Sequence, residues 1–217
     1  MEKVKKILKV MKKIIINWRA KITARWLVNN NFTIISNNCW WWHIYNYFWL
    51  KYNSPFIWLF LFPECYMKLL GDLENYMSKS LSFIPANKSK YYDKIKLLKK
   101  DGYPIGILND DIEIHFLHFS NAEEALEKWT RRKKRINYQN LLVKFTNIID
   151  WNEENLAKKI ELLWFKNKII FSCPSFSTWN EHWEYELRQT RKNILKIKNI
   201  LNQLRKNKMI IKIYRNE

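Results

Sequence analysis

The chain has 217 residues, 47% apolar and 27% charged, with a formal net charge of +19; this fits one globular domain with terminal extensions and excludes wholesale disorder. Its longest apolar run, the seven residues Phe56–Phe62, falls far short of the roughly 18 needed to span a bilayer, and lysines interrupt the first apolar stretch, so no signal-peptide pattern opens it. No internal period marks a rod or repeat architecture, and three widely spaced cysteines (Cys39, Cys65 and Cys173) make neither a disulfide framework nor a zinc ribbon, which points to the cytoplasm.

Residues 1–30 read as a basic amphipathic helix. Val4, Ile7, Leu8, Met11, Ile14, Ile15 and Trp18 follow one helical face, and lysines fill the remainder. The family-sized α/β unit is expected over 31–175. Phe32–Ile35 reads as a strand, followed by the polar turn Ser36-Asn37-Asn38 and then Cys39. Pro55–Phe62 reads as a second, fully apolar strand and Glu64–Met77 as a helix, with Ser78–Lys100 irregular and basic. Tyr103–Leu108 and Ile112–Phe119 form a predicted hairpin around Asn109-Asp110-Asp111. Asn121 caps a helix that ends in the basic run Arg131–Arg135. A strand at Leu141–Phe145, a helix at Asn152–Leu163 and a strand at Lys168–Cys173 complete the alternation. It predicts a single α/β domain built on a mixed sheet with helices on both faces. Residues 176–217 form a basic extension with a second amphipathic face at Ile194, Ile197, Leu201 and Leu204, then a short strand from Met209 to Tyr214.

Charge is concentrated at the ends. Residues 1–26 carry nine Lys/Arg against one acid, and residues 187–217 carry ten against one. The 160 residues between hold 20 basic and 18 acidic side chains, an ordinary near-neutral domain. A basic amphipathic helix suits an anionic membrane surface, so a peripheral position at the inner face of the membrane is one expectation. A helix docked on its own domain with a solvated lysine face is the other. Nucleic acid is the less favoured partner, because the aromatic interleaving of single-strand binders is absent.

Glycine and tryptophan are out of proportion. The chain has 3 Gly and 12 Trp, where a usual frequency predicts roughly 15 Gly. Several Trp stand where a turn favours Gly, which alone takes positive φ without a steric cost. The codon UGA is read as Trp in one variant code and as Gly in another. On that basis Trp41, Trp42, Trp49 and Trp58 are expected to be glycines, whereas Trp40 and Trp129 are expected to be genuine.

Four strings, in order, carry a resemblance: Thr33-Ile-Ile-Ser-Asn-Asn-Cys-Trp40, Tyr52-Asn-Ser-Pro-Phe56, Tyr103 through His118, and Glu127 through Asn137. They resemble the exopolysaccharide-biosynthesis family known as domain of unknown function 1919, from about Phe32 to Cys173. In that family's pattern the first motif continues Cys-Trp-Gly-Gly, and Gly stands at the positions of Trp49 and Trp58. The resemblance implies a bacterial protein of capsule or surface-polysaccharide synthesis and no particular reaction.

Three constellations are candidates for chemistry. Ser36, Asn37, Asn38 and Cys39 follow a strand, at the edge where α/β sheets bind ligands; Asn53 and Ser54 are expected along the same edge. Cys39 and His43 are spaced as a nucleophile and base on one helix face, although a buried free thiol serves the same pattern. On the hairpin, Asp111, Glu113 and His115 alternate onto one face at steps of about 7 Å, with His118 on the core side. Such a face suits acid–base catalysis with His115 as base, a hard divalent cation, or plain solvent exposure. Trp129, Arg132 and Arg135 end the capped helix, where the two arginines share a face and can fork onto a phosphate or an acidic sugar. The combined expectation is a transferase using an activated sugar or acyl donor, with the Asn/Ser/Cys turn and the hairpin face opening on one cleft. A membrane-surface adaptor of the polysaccharide machinery and a basic nucleic-acid binder are the alternatives.

Overall fold

In the computed structural model the described residues are 11, 27, 31–97, 102–147, 156–172, 179–204 and 209–213. Strand β1 (Thr33–Ser36) pairs in parallel with β5 (Leu141–Asn147), β5 with β6 (Asn167–Ser172), and β6 with β7 (Met209–Ile213). The resulting four-stranded order is β1-β5-β6-β7. Strands β2 (Leu81–Ile84), β3 (Ile105–Leu108) and β4 (Ile112–His115) form a second, antiparallel sheet. The α/β class is therefore as expected, but the hairpin strands fall in a sheet of their own instead of extending the parallel one. The antiparallel sheet is tied to the segment 55–62 at an isolated bridge, where the backbones of Phe60 and His115 exchange hydrogen bonds of 2.8 and 2.9 Å.

Eight α-helices lie among the described residues: α1 (Trp41–Tyr47), α2 (Pro63–Gly71), α3 (Leu73–Ser78), α4 (Tyr92–Leu97), α5 (Ala122–Lys133), α6 (Leu156–Leu162), α7 (Trp179–Lys192) and α8 (Ile194–Gln203). The parallel sheet separates two cores, because alternate side chains of a strand point to opposite faces. Ile35, Val143, Phe145 and Ile170 pack with α2, α3, α5, α6 and the antiparallel sheet. Ile34, Leu142, Ile169 and Phe171 pack with α1 and with Ile197, Ile200 and Leu201 of α8. Helices thus cover both faces, and the apolar face expected in the C-terminal extension is buried on one of them.

Local chemistry explains several boundaries. Asn121 Oδ1 accepts the Glu124 N–H at 2.8 Å, so α5 has the side-chain cap its sequence predicts. Asn109 and Asp110 sit at φ of 52° and 54°, the two left-handed residues of a tight hairpin turn. The helix expected over 64–77 is broken at Asp72, whose φ of −146° is not helical. Residues 81–97, expected to be irregular, hold β2, a 3₁₀ turn at Ala86–Lys88 and α4.

Pro55–Phe62, expected as a strand, is a turn-rich segment running along the open edge of β1. Ser54 Oγ donates to Ile34 O at 2.5 Å, and Leu61 N donates to Asn37 O at 2.9 Å. Trp58 interrupts any extended path at φ 69°. The N-terminal basic helix lies outside the described residues. No helix among the described residues is long and apolar enough to cross a membrane.

Candidate functional site

The polar turn after β1 is built into a buried ionic network. Asn37 extends the parallel ladder by one side chain: its Nδ2 donates to Thr146 O at 2.9 Å, and its Oδ1 accepts Thr146 N at 3.1 Å. Asn38 faces the other way, with its Nδ2 donating to Glu186 Oε2 at 2.9 Å. Its Oδ1 accepts from Lys144 Nζ at 2.6 Å and from Ser36 Oγ at 3.3 Å. Lys144 Nζ also meets Glu186 Oε1 at 2.7 Å, and Thr146 Oγ1 donates to the same oxygen.

Lys144 and Glu186 are both fully buried. The ammonium also stands 5.2 Å from the Trp40 ring and 5.3 Å from the Phe171 ring, on their π faces. Trp40 is itself held by a hydrogen bond from its Nε1 to Thr190 Oγ1 on α7. Burial alone would push the Glu186 pKa up. The Lys144 charge, the His182 imidazole and the hydrogen bonds from Lys144 and Thr146 outweigh that and hold it below the usual carboxylate value. The network spans the carboxyl end of β1 and the carboxyl half of β5, on the side of the sheet where open α/β folds place ligands.

Cys39 is buried and its Sγ donates to Leu59 O at 3.5 Å. His43, one turn on, lies beside the rings of Trp42 and Trp183. Burial, and then the Arg191 charge, lower its pKa to about 4.

The hairpin face is a separate centre. Glu113 Oε2 accepts from Ser89 Oγ at 2.5 Å, its Oε1 accepts the Lys90 N–H at 2.8 Å, and its own N–H points at Cys65 Sγ at 3.3 Å. His115 is fully buried among the rings of Phe60, Phe62, Tyr91 and Tyr103. Its Nδ1 meets Tyr103 Oη at 3.3 Å, and its Nε2 stands 3.6 Å from Glu113 Oε2, beyond a hydrogen bond. Burial lowers its pKa to about 3, so the imidazole is neutral at physiological pH. Asp111 leaves this group and pairs with Lys68 Nζ at 2.5 Å and Tyr76 Oη at 2.9 Å near the surface. His118, expected on the core side, is exposed.

Arg132 and Arg135 act on the 52–57 segment. Arg132 Nη1 donates to Ile57 O at 3.3 Å and Arg135 Nη1 donates to Tyr52 O at 3.1 Å, while the Arg132 guanidinium also lies 5.4 Å from the Tyr52 ring. Trp129 is core, edge-on to Phe56 and Phe116. Ser54 is buried, and the Asn53 carbonyl accepts from Thr33 Oγ1 at 3.1 Å.

The structure thus joins Ser36, Asn38, Lys144, Thr146 and Glu186, and separately joins Glu113 with His115. The parallel sheet lies between these two groups: by strand alternation Lys144 and Thr146 share the face of Leu142, whereas Glu113 and His115 lie with Phe60, Phe62 and Tyr91 in the core on the face of Val143 and Phe145. They do not share a cleft. Among the described residues no three His, Cys, Asp or Glu side chains come together to hold a metal ion. Lys144 and Glu186 escape a reading by motif. The one visible signal is a lysine inside the apolar strand Leu141-Leu-Val-Lys-Phe145.

The family designated DUF1919, a domain of unknown function, matches residues 10–214. The chain belongs to the DUF1919 family. The match takes in α7 and β7 as well as the motifs at 33–40 and 103–118, so both members of the Lys144–Glu186 pair lie inside the DUF1919 region. An uncharacterised protein of Haemophilus influenzae is 32% identical over 180 residues, which cover 82% of this chain and 79% of the relative.

Proposed function

We propose that this DUF1919 protein is a transferase of surface-polysaccharide synthesis that acts on an activated sugar or acyl donor. The observation that carries the placement of its working groups is the Lys144–Glu186 pair, with Asn38 bonded to both, beside the carboxyl end of β1. Glu186 is held ionised, and both its oxygens are engaged by Lys144, Thr146 and Asn38, so its role in this reading is to fix the Lys144 ammonium and the Asn38 amide in place at the end of β1. The polysaccharide context is supported by the strings at 33–40, 52–56, 103–118 and 127–137, which resemble exopolysaccharide-biosynthesis proteins.

The test is to incubate the purified full chain with a panel of sugar nucleotides and acyl donors and to follow donor loss and product by mass spectrometry. The expected result is turnover of one donor class that disappears in Glu186→Gln, with the circular dichroism spectrum retained. No turnover of any donor, or equal turnover in Glu186→Gln, removes the reading.

The nine basic residues against one acid in 1–26 favour a membrane-peripheral position for the same enzyme. Co-sedimentation with anionic vesicles that is lost on removing 1–26 is expected. Equal sedimentation of both forms counts against it.

A further inference from the structure

Four described residues other than glycine adopt φ in the left-handed region: Asn109, Asp110, Trp49 and Trp58. Asn and Asp visit that region readily, and here they form the hairpin turn. A bulky tryptophan is penalised there, because its Cβ meets the following carbonyl.

The surroundings of Trp49 show which residue the backbone calls for. Helix α1 ends at Tyr47 with Phe48 as its C-cap. Leu50 N donates to Tyr45 O at 2.9 Å and Trp49 N donates to Asn46 O at 3.3 Å. That pair of bonds, six residues to one and five to two, is the Schellman ending of a helix, and its left-handed position is ordinarily glycine. Trp49 occupies that position at φ 52° and is 46% exposed. Trp58 sits at φ 69° in the turn-rich segment along β1.

Both residues out of place are tryptophans, in a chain with 3 Gly and 12 Trp. One cause accounts for both angles and for part of the deficit and the surplus. UGA is translated as tryptophan under one genetic code and as glycine under another. We propose that positions 49 and 58 are glycine in the protein as its own cells make it, encoded by UGA, and that the tryptophans arise from reading those codons with the wrong table. Trp41 and Trp42 lie within helix α1, so the backbone makes no such demand there.

The test is mass spectrometry of the peptides that span 49 and 58, taken from the protein purified from its native source, with the gene's codons read alongside. Glycine at both positions and UGA in the gene are expected. Tryptophan in either peptide, or UGG at either codon, overturns the proposal. A second measurement needs no native material. The full-length Trp49→Gly chain, where the side chain replaced is an exposed one, is expected to melt about 2–4 °C above the tryptophan form. A melting point unchanged or lowered contradicts the claim that this site calls for glycine.

Discussion

Replacing Lys144 by methionine isolates the energetics of the buried pair. The side chain keeps its length and loses its charge, so Glu186, fully buried, retains only the neutral donors Asn38 and Thr146. Breaking a buried ion pair by removing one partner costs about 3–5 kcal/mol, because the remaining charge is left uncompensated. At about 2–4 °C per kcal/mol for a chain of this size, the melting point should fall by roughly 6–20 °C. The double variant Lys144→Met/Glu186→Leu removes both charges together, and most of that loss should be recovered.

The same pair predicts acid sensitivity. Glu186 has a folded pKa held below its unfolded value near 4.5. Its contribution is therefore complete above that value and is lost as the pH falls through the folded pKa. Thermal and urea unfolding of the unaltered chain, Lys144→Met, Glu186→Leu and the double variant, followed by circular dichroism, measures all of this. A loss under about 1 kcal/mol in Lys144→Met, or a double variant no more stable than the single one, would show that the pair is not the closed ionic contact described.

His115 has a folded pKa of about 3 against 6.5 unfolded. The unfolded chain binds the extra proton between those values, so stability should fall as the pH drops from about 6.5; His115→Phe should flatten that slope in melting points taken from pH 7 to 4. Asn121→Ala removes the cap on Glu124 N–H and should cost about 1 kcal/mol, read from urea unfolding midpoints. Asn37→Ala leaves the buried Thr146 N–H and C=O without their side-chain partner and should cost at least about 1–3 kcal/mol by the same measurement. Asp111→Asn, which weakens the half-exposed contacts with Lys68 and Tyr76, should change stability by about 0–1 kcal/mol.

What could be read along the chain is what neighbours in sequence decide. Asn121 caps α5 because its side chain reaches an N–H three residues away. Asn109 and Asp110 close the hairpin because their short polar side chains tolerate left-handed backbone. The face of α8 at Ile197, Leu201 and Leu204 is buried because helical periodicity is a local property. The excess of tryptophan over glycine was likewise visible in composition alone, before the angles at 49 and 58 singled out two positions.

Tertiary structure decided the remainder. Period-two alternation tells which hairpin residues share a face, and Glu113 and His115 do lie together. It does not tell which side of a second sheet that face meets, so the cleft expected between His115 and Asn38 is divided by the parallel sheet. Pro55–Phe62 has the composition of a strand, yet it lies along β1 as turns, with Trp58 at a left-handed angle. Glu186 reaches Lys144 across 42 residues of sequence. No local pattern encodes that meeting, because the favourable energy appears only once the sheet and α7 have brought the two charges out of water together.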